Sequence, residues 1–163
     1  MAPVLLCLSV SCATGLRGEV FRKGDLRYRI GVPPVERWAP VSLGDNDLAW
    51  ISKKSGHVIA VNSTCDDHGD PSLEVLTNHL LMGFSDRQLE FQKTEMRDER
   101  EALRSRYHAH LDGVPVSIEL VVLKRNGCVH DFTAIRPDGP ETVTWTQADF
   151  NALVDAFHQE HAP

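Results

Sequence analysis

The chain has 163 residues, 42% of them hydrophobic, and its 17 Lys and Arg against 23 Asp and Glu give a net charge of −6. That length makes one domain of ordinary size, and that apolar content supplies one core. The acid excess excludes the basic face that nucleic acid needs, and no stretch past the N-terminus approaches the ~20 apolar residues of a membrane-spanning helix.

The first dozen residues set the address. Val4-Leu5-Leu6-Cys7-Leu8 leads into Ser9-Val10-Ser11-Cys12. A short apolar run, small residues and a cysteine are how a bacterial lipoprotein begins, the cysteine carrying lipid after cleavage. No Lys or Arg precedes Arg17, and Ser9 stands where such signals usually carry Leu. A start codon placed too far downstream accounts for the missing charge and the short run, and the same segment also suits a buried first strand. On the export reading, residues 1–19 are signal and tether, Cys12 is the lipidation site, and the domain spans 20–160.

Phe21 to Ile30 reads as a half-buried strand, with Leu26, Tyr28 and Ile30 alternating, until Val32-Pro33-Pro34 stops it. The chain is irregular through Trp38 and Pro40. Leu48 to Ser52 and His57 to Asn62 are two short strands, and a polar loop runs from Ser63 to Asp70. Asp70 as N-cap and Pro71 at the first helical position open a helix whose stripe is Leu73, Leu76, Leu80, Leu81 and Phe84. A strand over Gln88 to Glu95 follows, Leu89 and Phe91 sharing one face. Arg97 to Arg106, interleaved with Asp98, Glu99 and Glu101, reads as a solvated face.

The C-terminal half is a meander. Ala102–Leu111, Val114–Lys124 and Cys128–Ile135 are strands joined by Asp112-Gly113 and Asn126-Gly127, two-residue turns of the primed type that match strand twist. Thr146 with Asp149 resembles a capping box, and Phe150, Leu153, Val154 and Phe157 face the core from a last helix. The fold class is α+β: an antiparallel sheet covered by helices, an α/β/α sandwich.

This layout, with Tyr28-Arg29-Ile30 through Trp38, Asp112-Gly113-Val114-Pro115, Asp131-Phe132, and Asp149-Phe150 through Ala156-Phe157, resembles the PsbP-like fold. That fold is shared by photosystem extrinsic subunits and DcrB-type envelope lipoproteins. Val61-Asn62-Ser63-Thr64-Cys65, Leu76 through Phe84 and Arg125-Asn126-Gly127-Cys128 look like uncharacterised lipoproteins of myxobacteria and other deltaproteobacteria. His130 stands where that group suggests tyrosine. The resemblance implies location on the periplasmic side of the envelope, as an outer-membrane lipoprotein, and a non-enzymatic role. It implies no catalytic residue and no cofactor. The partner would be an envelope protein or small ligand, with membrane contact through the lipid alone.

Three sets of residues are candidates for chemistry. Cys65 ends one strand and Cys128 opens another, so in an exported domain they form a candidate disulfide. Closing a loop of about 63 residues would contribute about 4 kcal/mol in the chain-entropy model. The alternative is two buried free thiols. Asp66, Asp67, His68 and Asp70 beside Cys65 are the donors for a divalent cation or a metal-dependent or thiol enzyme, although their spacing matches no EF-hand or standard zinc pattern. Helix capping and turn geometry explain the same residues. His108 and His110 share an outward strand face and form a second metal candidate, with His130 a third ligand across the meander.

Overall fold

The turn dipeptides dictate the centre of the molecule. In the computed structural model, which describes residues 14–160 apart from 45, 66–68 and 139–143, Asp112, Gly113, Asn126 and Gly127 all take positive φ. They close the hairpins between β8 (Arg100–Leu111), β9 (Val114–Arg125) and β10 (Cys128–Pro137). The meander extends one strand further than expected. Strand β7 (Phe84–Arg97) pairs with β8 through a turn at Asp98 and Glu99, both also at positive φ.

On the other side of β10 the sheet continues antiparallel into β6 (Val58–Thr64), β5 (Leu48–Ser52) and β4 (Trp38–Val41). The result is a seven-stranded sheet in the order β4-β5-β6-β10-β9-β8-β7. The stretch read as irregular at Trp38 and Pro40 is thus an edge strand, where proline is tolerated because no neighbour needs its missing N–H.

A second sheet, β1-β2-β3-β11, is built from the chain ends: β1 (Gly15–Arg17), β2 (Val20–Lys23), β3 (Leu26–Arg29) and β11 (His158–Gln159). The strand expected over Phe21 to Ile30 is a hairpin, turning at Gly24-Asp25, with Phe21 opposite Tyr28. Among the described residues strand structure begins at Gly15, ahead of the boundary expected at residue 20.

Only two helices are described, α1 (Leu73–Leu80) and α2 (Thr144–Asp155). The α+β class holds, but the α/β/α sandwich needs correcting, because the molecule is sheet-dominated. Helix α2 and the small sheet together cover one face of the large sheet. There Phe150, Leu153, Val154 and Phe157 meet Tyr28, Ile59, Val61, Val121, Leu123 and Phe132. Helix α1 covers part of the opposite face, where Leu81 packs with Tyr107, Ala109, Val116, Ile118 and Leu120.

Both helix starts differ from expectation. Ser72, not Asp70, caps α1, its Oγ accepting from Val75 N at 3.3 Å; serine matches aspartate as a cap. Thr146 and Asp149 make no capping box. They lie inside α2 and reach the large sheet, Thr146 Oγ1 to His57 Nδ1 at 2.9 Å and Asp149 to Trp38 Nε1 at 2.8 Å.

Candidate functional site

The cleft under α1 is the site the fold builds. Its floor is the face of β6, β10 and β9 that α1 leaves uncovered. Register places Asn62, Asp131 and Val122 in one row across these strands, and Thr64, Val129 and Lys124 in the next. Val75, Leu76, His79 and Leu80 of α1 form the wall, and the cleft encloses about 870 Å³. Lys124 Nζ donates to Pro71 O at 2.7 Å and to the Asp70 carboxylate, which ties the N-terminal approach of α1 to the sheet.

Asp131 dominates the electrostatics of this floor. It is only 8% exposed, in a central strand paired on both sides. Burial pushes its carboxyl up to about 7; a hydrogen bond from Asn62 opposes the rise and the charge of Asp47 adds to it.

Cys65 and Cys128 meet at the end of the cleft. Their sulfurs are bonded, 2.15 Å apart, continuing the β6–β10 ladder one step beyond Thr64 and Val129. Cys128 borders the cleft, but its sulfur belongs to the core on the other face of the sheet, against Gln159, and the Cys65 thiol is not free for the nucleophile role weighed from sequence. Asp66, Asp67 and His68 lie outside the described residues, as does Cys12. Asp70 is engaged by Lys124, which holds its carboxyl below the usual range.

The structure separates the histidines. His108 and His110 do share a face, but each meets an acid of β7: His108 Nε2 lies 3.3 Å from Glu90 and His110 Nδ1 3.4 Å from Asp86. His108 is in line with Ser117 and Arg136 across the sheet, about 20 Å along β10 from His130. Among the described residues no group of three His, Cys, Asp or Glu is placed to hold a metal ion.

His130 belongs to the core instead. Its Nε2–H donates to Gln159 Oε1 at 3.1 Å, which leaves Nδ1 to accept from Ser63 Oγ at 2.9 Å. The ring packs edge-on to Tyr28 and against Phe157, and burial pushes it down to about 4. A neutral imidazole there joins the two sheets.

Sequence reading missed a buried ion cluster beneath α2. Arg104 and Arg106, expected on a solvated face, reach Glu119 at 2.5 and 2.7 Å. Gln147 of α2 donates to Glu119 at 3.2 Å, and Arg136 donates to Gln147 at 3.0 Å. Burial acts to raise Glu119, but the hydrogen bonds and charges of Arg106 and Arg104 hold it below the usual carboxylate range. The available signal was Glu119 itself, alone among apolar residues in the middle of a strand. Each charge in this cluster has a partner, so it reads as a structural clamp.

An antiparallel sheet clasped by a terminal helix and a small sheet defines the class of protein. Solved structures share this fold. Cyanobacterial PsbP (CyanoP) from Synechocystis sp. PCC 6803 matches with a TM-score of 0.57 and 12% identity, covering 82% of this chain and 86% of that one. LpqN, involved in cell envelope biogenesis of Mycobacterium tuberculosis, matches with a TM-score of 0.58 and 12% identity, covering 83% and 84%. The fold is therefore PsbP-like. No protein-family model and no curated protein matches the sequence.

Proposed function

We propose that this protein is an exported, lipid-anchored accessory protein of the cell envelope. Its role is non-catalytic: it binds a partner protein or small ligand at its sheet and cleft, held to the membrane at Cys12. The observation that carries this reading is the bonded pair Cys65–Cys128, because structural disulfides persist in oxidising compartments and are rare in the cytosol. The lipoprotein-like N-terminus and the fold shared with LpqN, an envelope-biogenesis protein, support the same compartment.

Intact-mass measurement of mature exported protein, with and without reductant, tests the compartment. A gain of two hydrogens on reduction is expected, and two free thiols in the untreated sample would refute it. Palmitate labelling tests the anchor: label should vanish in Cys12→Ser, and undiminished label in that variant rules the anchor out.

A further inference from the structure

Among the described residues, Asp131 lacks what every other strongly buried acid has. Glu119 is met by Arg104 and Arg106, and Asp149 by Arg37. Among the described residues, no Lys, Arg or His pairs with Asp131, although it is buried to a similar degree. Its flanking strands leave the side chain one way to point, into the cleft beside Asn62. A buried carboxyl without a counter-charge is costly, and a cation that enters with it removes the cost.

The rest of the cleft says what kind of cation. Val75, Leu76 and Leu80 on one side, with Val122 and Val129 on the other, offer apolar walls. About 870 Å³ falls within the range that holds an organic ligand. Lys124, Arg100 and Arg125, which also line the cleft, disfavour a polycation. We propose that the cleft binds a small organic cation, a single ammonium group on an apolar body. The ammonium lies against the Asp131 carboxylate beside Asn62, and the body lies along α1. This rests on the binding role proposed above, but on neither export nor anchoring.

The test uses the full oxidised chain, labelled with 15N and titrated with hexylammonium, hexanol and hexanoate at constant ionic strength. Hexylammonium should shift the Asn62 side-chain amide and the backbone amides of Leu76, Val122 and Asp131 saturably. It should bind about tenfold more tightly than hexanol. Asp131→Asn should weaken hexylammonium about tenfold and leave hexanol unchanged, in a variant whose spectrum shows it folded. Equal affinity for hexylammonium and hexanol, unchanged affinity in Asp131→Asn, or shifts centred on the exposed acids Asp86 and Glu90 would overturn the inference. So would the absence of any shift at the cleft, whereas the mass and palmitate measurements would still judge the envelope reading on their own.

Discussion

At the scale of single residues, two buried acids behave oppositely because one has cationic partners and the other has only the Asn62 amide. Asp131 is raised from 3.8 to about 7, mainly by burial. While both states are protonated, below about pH 4, the fold keeps the full benefit of a neutral Asp131. As pH rises the unfolded chain ionises first, and stability is lost until Asp131 itself ionises near 7. His130, lowered from 6.5 to about 4, works the other way, contributing fully above 6.5 and losing its contribution as pH falls toward 4. The two trends offset in the native protein, so a difference measurement is needed to separate them. Urea unfolding of native protein and Asp131→Asn in parallel should show the variant gaining on the native protein by up to ~4 kcal/mol between pH 4 and 8. A gap that does not change with pH would refute the assignment. Glu119 is 1% exposed and compensates two arginines. Glu119→Gln should therefore cost about 3 kcal/mol, since it leaves buried guanidinium charge unopposed; chemical denaturation reads it directly, and a loss below ~1 kcal/mol would show that the cluster is solvated after all.

At the scale of elements, legibility followed local chemistry. The hairpins at Asp112-Gly113 and Asn126-Gly127 were readable because Asp-Gly and Asn-Gly name their turn type. The hairpin at Asp98-Glu99 adopts the same positive φ without glycine and gave no such signal. Strand β7 also hides its pattern. A register shift between Leu89 and Phe91 puts Leu89 opposite Tyr107 and Phe91 opposite Arg106, on different faces. Leu89 is consequently 54% exposed, while Phe91 lies under the Arg106 guanidinium, 4.8 Å from ring centre to Cζ. The last helix was legible in its apolar stripe, but its polar residues were misassigned because Thr146 and Asp149 answer to His57 and Trp38, 89 and 111 positions away along the chain. The cleft was invisible for the same reason: Asn62 and Asp131 become neighbours only when β6 and β10 pair. Long-range docking also fixes Gly31, where an added Cβ would stand 2.4 Å from Ala152 O of α2. Gly31→Ala should push α2 off its seat and cost about 1–3 kcal/mol, with the loss visible as reduced near-UV dichroism from Trp38. An unchanged melting curve would mean that α2 shifts freely.

At the scale of the whole molecule, one covalent link joins the parts that the cleft needs. Residues 65 and 128 stand at the ends of strands already paired through seven register positions, from Thr64 with Val129 to Val58 with Ile135. Breaking the sulfur bond removes none of those backbone bonds, so the native fold should survive reduction. The unfolded chain changes more, because a loop of 63 residues that carries α1 and most of the meander is released. In the chain-entropy model that release favours unfolding by about 4 kcal/mol, a large share of the stability of an ordinary domain. The double variant Cys65→Ser/Cys128→Ser, and native protein held in reductant, should therefore lose stability by similar amounts while keeping native far-UV dichroism. Agreement between the two matters, because the serine variant also loses the Gln159 Nε2 contact to Cys128 Sγ at 3.8 Å, whereas reduction retains a sulfur there. If reduced protein is as stable as oxidised protein, the link contributes nothing to the fold.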